Sequence, residues 1–163
     1  MTKIENFMNV ITDGTFPSKL KRIDAAKARF YKALVDEEEE QQQQQQSKVY
    51  TLIRSGALGD APIDSVKIST EVGLLEMRSF HALDTRGGLA GWIVFYGQSP
   101  DDATESCRLL TVRINELEWM RPDGTKYRDS SGDDWVTLII MEAMAELLRL
   151  KTEYIHATSK SPQ

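Results

Sequence analysis

Cysteine and histidine are nearly absent from this chain. Among its 163 residues there are one cysteine, Cys107, and two histidines, His81 and His156. A single cysteine cannot form an intramolecular disulfide, which excludes a small secreted scaffold stapled by disulfides and favours a reducing compartment. Zinc sites draw several His or Cys ligands from short spacings, and these three residues are far apart in the sequence. We therefore expect no metal site and no other cofactor.

Long hydrophobic runs are also missing. The N-terminal segment contains Glu5 and Asp13 and lacks the continuous apolar run of a signal peptide. The most apolar window, residues 135–150, contains Glu142 and Glu146 and is shorter than the roughly 20 apolar residues that span a bilayer. These features favour a cytoplasmic protein with no membrane partner.

No motif in the chain names a reaction. There is no Gly-x-Ser-x-Gly elbow and no glycine-rich phosphate loop. His81 lies near Ser79 and Asp84, but a catalytic triad usually gathers residues from distant segments. Cys107 has no histidine partner suggested by the sequence, which favours a structural role. We predict no catalytic residues and do not favour an enzyme.

What the chain does have is an uneven charge. The formal net charge is −5, yet residues 1–35 hold seven Lys or Arg against three Asp or Glu. Residues 36–47 hold five acidic residues and no basic one, and the run from Asp36 to Gln46 has no apolar residue. Glu and Gln are good helix formers, so this run predicts either a rod-like helix from about Ser18 to Ser55 or a disordered linker. A functional alternative is that the acidic run mimics phosphate charge.

Before the acidic run, the sequence predicts an amphipathic helix that begins near Phe16. Apolar residues recur there at helical spacing and define one face: Leu20, Ile23, Ala26, Phe30, Ala33 and Leu34. Basic residues project from the other side, among them Lys21, Arg22, Arg29 and Lys32. The helix therefore has an apolar face for packing and a basic back.

The middle of the chain has the alternation and the turn chemistry of strands. Predicted strands cover residues 66–70, 74–83, 92–96, 110–119 with a bulge near Asn115 or Glu116, and 126–128. Arg121-Pro122-Asp123-Gly124 predicts a tight turn that joins the last two. Trp135 to Leu150 is then apolar around most of a helix and must be covered on more than one side. The N-terminal helix or a second subunit could supply that cover.

The predicted fold class is α+β, with an antiparallel sheet of four or five strands, a long N-terminal helix and a hydrophobic C-terminal helix packed on the sheet. We divide the chain into a helical segment, residues 1–56, and an α+β domain, residues 57–163, which together form one cooperative unit. The rod and the apolar last helix both need extra cover, which a homodimer would supply.

With no catalytic constellation, the sequence favours a non-enzymatic interaction or assembly protein of the escort, inhibitor or adaptor type. Its partner would be another protein, including a second copy of itself. Aromatic and arginine side chains dominate binding hot spots. The predicted partner contacts are Lys19, Arg22, Arg29, Lys32, Trp119, Arg121, Lys126 and Arg128.

Two other functions remain open. Sheet aromatics, the basic helix and the arginines of the hairpin would suit nucleic acid, although the net charge of −5 opposes phosphate binding. The aromatic candidates are Trp92, Phe95, Tyr96, Trp119 and Tyr127, and the basic candidates on the strands include Arg108 and Arg113. Alternatively, Glu76, Glu116 and Glu118, with Asp129 beyond them, could gather around Mg²⁺ in a carboxylate-dependent enzyme.

Overall fold

The computed structural model places helices and one antiparallel sheet around a common core. It describes residues 2–12, 14–43, 48–53, 65–84, 87–114, 118–129 and 135–159. Within these ranges the helices are α1 (Lys3–Thr12), α2 (Phe16–Gln43) and α3 (Trp135–Ser159). The α+β class predicted from the sequence is confirmed.

The described residues form seven strands, which lie in the sheet in the same order as in the sequence. The strands are β1 (Tyr50–Ile53), β2 (Ser65–Thr70), β3 (Gly73–Leu83), β4 (Leu89–Gln98), β5 (Ser106–Ile114), β6 (Glu118–Met120) and β7 (Lys126–Asp129). Every neighbouring pair is antiparallel. The predicted count of four or five strands was therefore too low.

Two strands account for the difference. The predicted run of residues 110–119 belongs to two strands, β5 and β6, and the bulge expected at Asn115 or Glu116 falls outside the described residues. The other addition is β1, where Tyr50 and Leu52 face the core and alternate with exposed neighbours. Alternation with a period of two is typical of a strand, so the rod-like helix through Ser55 is wrong for this segment.

The hairpin between β6 and β7 forms as predicted. The backbone N–H of Arg121 donates to the carbonyl oxygen of Thr125 at 2.7 Å, and that of Gly124 donates to the carbonyl oxygen of Arg121 at 2.9 Å. Gly124 has a φ of 89°, in the left-handed region that glycine adopts without steric cost. This turn fixes where Arg121 leaves the sheet.

Helices α2 and α3 share the core with the sheet. Buried residues on α2 include Ala26, Phe30 and Leu34, which match the apolar face predicted for that helix. They join the buried face of β1–β6 and the inner face of α3 in one cluster. Residues from both predicted segments of the chain thus contribute to the same core.

The acidic and glutamine-rich run does not behave as a solvated linker up to Gln43, because three of its side chains are buried. Glu37, Glu38 and Gln41 lie on one side of α2. The amide of Gln41 donates to the hydroxyl of Thr137 at 3.1 Å and its carbonyl oxygen accepts from the backbone of Val49 at 3.0 Å. These buried polar residues therefore connect α2 to the start of β1 and to α3 inside the fold.

Candidate functional site

Helix α3 has two apolar faces with different surroundings. Its inner face is buried against the sheet and α2 and consists of Val136, Ile139, Ile140, Ala143 and Leu147. The sequence predicted such a helix and predicted that one covered side would not be enough. The structure supplies cover for the inner side only, among the residues it describes.

The outer face carries a row of residues that we call the α3 stripe: Leu138, Met141, Ala145, Leu148, Thr152 and Ile155. The four large side chains, in order along the helix, are 45, 48, 47 and 61% exposed. Ala145 and Thr152 are also exposed. Successive members are separated by three, four, three, four and three residues, the spacing of the seam of a coiled coil.

A cleft of about 360 Å³ lies beside the first half of the stripe. Leu138, Met141 and Ala145 form one wall, and Arg121 and Tyr127 of the hairpin lie opposite. The cleft is open to solvent and combines apolar side chains of α3 with the polar groups of Arg121, Tyr127 and Glu142, which suits an inserted side chain of a partner.

Arg121 connects the hairpin to α3. Its guanidinium lies 4.2 Å from the centre of the Tyr127 ring and its Nη2 atom lies 2.7 Å from Oε1 of Glu142. Burial, followed by the negative charge of Glu142, raises the pKa of Tyr127 to about 12. Arg121 was a predicted contact residue, and the structure places it at the rim of the cleft.

Further along α3, Arg149 lies between two acidic residues. Its Nε atom donates to Oε2 of Glu146 at 2.9 Å, and its guanidinium also pairs with Glu153. The hydrogen bond from Arg149 lowers the pKa of Glu146. Glu142 and Arg149 thus place charged side chains along one edge of the α3 stripe.

Trp119 was predicted to be an exposed contact for a partner. This prediction is wrong, because its side chain is only 3% exposed. Its ring centre lies 4.8 Å from that of Phe30 and 6.3 Å from that of Trp135, both in edge-on arrangements. Trp119 pairs with Ile114 in the sheet, on the face that α2 and α3 cover. The expectation failed because the parity of β6 points this residue to the core.

The other predicted contact residues are spread over α2 and β7. Arg22, Arg29 and Lys32 are exposed on α2, and Lys19 is half-buried on the same helix. Lys126 is exposed at the start of β7, and the side chain of Arg128 lies outside the described residues. Of the seven predicted contact residues whose side chains are described, Arg121 alone lines the cleft beside the α3 stripe.

Of the carboxylates considered for Mg²⁺, only Glu76 has its side chain among the described residues. Glu76 pairs with Arg78 at 2.6 Å and accepts from the hydroxyl of Ser65 at 3.0 Å. Glu116 and the side chain of Glu118 lie outside the described residues. Within the described ranges, no group of three or more His, Cys, Asp or Glu side chains is placed to hold a metal ion.

His81 and Cys107, which were considered for catalysis, make contacts that join neighbouring elements of the fold. Nε2 of His81 lies 2.7 Å from Oδ1 of Asp24, which joins β3 to α2. Cys107 is half-buried, with its sulfur 3.5 Å from the carbonyl oxygen of Gly97 on the neighbouring strand. Neither contact resembles the nucleophile and base arrangement that a hydrolase would need.

The sheet face opposite the helices carries aromatic and basic side chains. Cross-strand pairing sets Phe80 beside Trp92 and Trp92 beside Arg113, while Tyr96 pairs with Arg108. The guanidinium of Arg78 lies 4.7 Å from the Tyr96 ring centre. We call this surface the open sheet face. Phe95, an aromatic candidate of the sequence analysis, is instead buried on the helix side.

Within the described ranges, α1, α2 and α3 all lack an apolar stretch of the length that a bilayer span requires. Comparison of the chain with models of protein families, with curated proteins and with solved structures found no match.

Proposed function

We propose that this chain is a protein-interaction or assembly protein that buries the α3 stripe against a helix of a protein partner. The observation that carries the proposal is the stripe: four large apolar side chains at coiled-coil spacing, each close to half exposed or more. Contiguous exposed apolar surface on a folded protein marks an interaction site more often than scattered single residues do.

The neighbouring cleft supports the same surface. A helix seated on the stripe would have Arg121 and Tyr127 at its edge, and arginine and tyrosine are enriched among hot-spot residues. The inner face of α3 is already buried, so the outer face is available for binding without unfolding of the domain. A helix in an apolar groove is a recurring mode of protein recognition.

Replacing Leu148 by Glu tests this proposal. A charge in the middle of the stripe should abolish both self-association and capture of any protein partner, since burying an unpaired carboxylate in an apolar interface is costly. The readouts are the mass from light scattering and a pull-down from extracts of cells that make the protein. The matched control is Leu74→Glu, which changes a side chain of similar exposure, 48%, on β3.

If Leu148→Glu retains the same mass and the same captured proteins as the wild type, the α3 stripe is not the binding surface. A defect that the folded Leu74→Glu control shares would equally count against it, because the loss would then not be specific to the stripe. Circular dichroism confirms that each variant is folded before either comparison is made.

A second candidate function is binding of single-stranded nucleic acid on the open sheet face. The specific observation is that Trp92, Tyr96 and Phe80 share this face with arginines on two strands, β3 and β5, although the net charge of the chain is −5. Bases stack on sheet aromatics, and arginines contact the phosphates. The hairpin arginine Arg121 is on the other side, engaged with Tyr127 and Glu142.

Quenching of tryptophan fluorescence by a single-stranded oligonucleotide tests this candidate. Binding should weaken steeply with added salt and should be lost in Arg108→Glu, because counterion release dominates such binding. Arg29→Glu, an exposed position on α2, is the control and should bind nearly as well as the wild type. No quenching at low salt would eliminate the candidate.

A further inference from the structure

We propose that the occupant of the α3 stripe is α3 of a second copy of this chain, lying antiparallel to the first. The inference rests on the proposed function and names its partner. It commits to one register, in which Leu138 faces Ile155 of the partner subunit, Met141 faces Thr152 of the partner subunit, and Ala145 faces Leu148 of the partner subunit.

Length is the first argument. The stripe spans 17 residue steps from Leu138 to Ile155, which at 1.5 Å per residue is about 26 Å. The other exposed apolar row on a described helix, Ile4, Met8 and Ile11 of α1, spans about 10 Å on the same scale. Helix α1 would cover less than half of the stripe, whereas a second α3 covers all of it.

Side-chain volume is the second argument, and it selects the antiparallel direction. In the proposed register each small member of the stripe, Ala145 or Thr152, faces a large one, Leu148 or Met141. A parallel pair would set Ala145 against Ala145 and leave a void in the middle of the seam, next to two facing leucines. Voids of that kind are destabilising. The antiparallel direction avoids them because it sets each small side chain of the stripe against a large one.

Charge is the third argument. On one flank of the stripe, the antiparallel register brings Glu142 close to Arg149 of the partner subunit, twice by symmetry. A parallel pair would instead set Arg149 beside Met144 and Lys151 beside His156. Charges on the flanks of a helix pair choose its partner and its direction more than they add to affinity.

The existing ion pairs extend this arrangement. Arg121 already pairs with Glu142, and Arg149 already pairs with Glu146. Across the proposed interface the charges would alternate, from Arg121 through Glu142 to Arg149 of the partner subunit and on to Glu146 of the partner subunit. Alternation lets the interface form without breaking either pair within the chain.

Cross-linking at the ends of the stripe tests the direction. In a Cys107→Ser background, Leu138→Cys and Ile155→Cys are made as separate proteins and treated with a short bis-maleimide. In the antiparallel pair, like positions are about 26 Å apart, too far for the reagent, while position 138 of one copy faces position 155 of the other. We expect a covalent dimer only when the two variants are mixed.

Three results would overturn the inference. Either variant cross-linking efficiently to itself would show a parallel pair, and cross-linking within one chain of a Met8→Cys/Leu148→Cys variant would show that α1 covers the stripe. The third is a wild-type monomer by light scattering with no cross-link in the mixture. Leu138 and Ile155 are both exposed, so cysteine at either position should leave the fold intact. Circular dichroism of each cysteine variant checks that a missing cross-link does not come from misfolding.

The outcomes also separate this inference from the proposed function. If the wild type is a monomer but Leu148→Glu loses a captured protein that Leu74→Glu retains, the self-pairing fails and the proposed function stands. If Leu148→Glu changes neither mass nor capture, both fail.

Discussion

Glu37 on α2 binds the first turn of α3 through Thr137, which lies 100 residues further along the chain. Its Oε1 atom accepts the backbone N–H of Thr137 at 2.9 Å, and its Oε2 atom accepts that of Val136 at 3.2 Å. The first N–H groups of a helix have no partner within the helix, and its N-terminus carries a partial positive charge. A buried carboxylate from another helix therefore caps α3 and fixes the position of the stripe.

Replacing Glu37 by Ala should lower the free energy of unfolding by about 2–3 kcal/mol, because two buried N–H groups lose a charged acceptor. Glu37→Gln keeps an acceptor oxygen and loses the charge, so its loss should be smaller. Urea denaturation followed by circular dichroism measures both. Glu39→Ala, an exposed neighbour on the same helix, is the control and should change stability by about 0.5 kcal/mol or less. Equal losses for Glu37→Ala and Glu39→Ala would contradict the capping role.

The raised pKa values of two tyrosines predict that the protein loses stability at alkaline pH. Burial, followed by the charge of Glu37, raises the pKa of Tyr50 far above its ordinary value, and the pKa of Tyr127 is raised to about 12. An unfolded tyrosine has a pKa of about 10, so below that pH both states are neutral and the stabilisation is complete. Above it the unfolded chain loses protons first, and the free energy of unfolding falls.

For Tyr127 this fall runs from about pH 10 to its folded pKa of about 12. Tyr127→Phe cannot ionise and should show a shallower decline across that window than the wild type. Urea titrations at several pH values measure the slope, with Tyr154→Phe on the exposed side of α3 as the control. Parallel slopes for the wild type and Tyr127→Phe would show that the pKa of Tyr127 is not raised on folding.

Gly91 on β4 allows α2 to approach the sheet closely. A Cβ atom at this position would lie 2.7 Å from Cγ2 of Ile23. Gly91→Ala should therefore cost about 1–3 kcal/mol of stability through overpacking. The loss should shrink when Ile23→Ala removes the obstructing methyl group, which a double-mutant cycle of urea denaturation measures. Strictly additive losses would show that the two residues do not meet.

Much of the fold could be predicted from periodicity. The apolar face of α2, the hairpin at residues 121–124 and the hydrophobic helix α3 each follow from local patterns, and the structure agrees with them. Strand β1 was missed because it is short and follows a run of helix formers. The burial of Glu37, Glu38 and Gln41 was missed because a run of polar residues is typical of a solvent-exposed segment. Their hydrogen-bond partners lie on α3 and β1, which are distant in the sequence.

The candidate site was only partly visible in the sequence. The spacing of the α3 stripe is present in the printed residues, but apolar side chains surround α3 and hide which row the sheet leaves exposed. That distinction depends on tertiary packing, here on Ile139 and Leu147 being buried while Leu138 and Leu148 are not. Trp119 illustrates the converse case, since the side of the sheet it faces follows from the register of β6.

The mass of the wild-type protein in solution tests the central claim most directly. Light scattering over a range of micromolar concentrations should give twice the 18.5 kDa of the chain, and Leu148→Glu should return it to the mass of a single chain. A wild-type protein that remains at 18.5 kDa throughout would contradict pairing through the α3 stripe. So would a dimer that Leu148→Glu leaves intact.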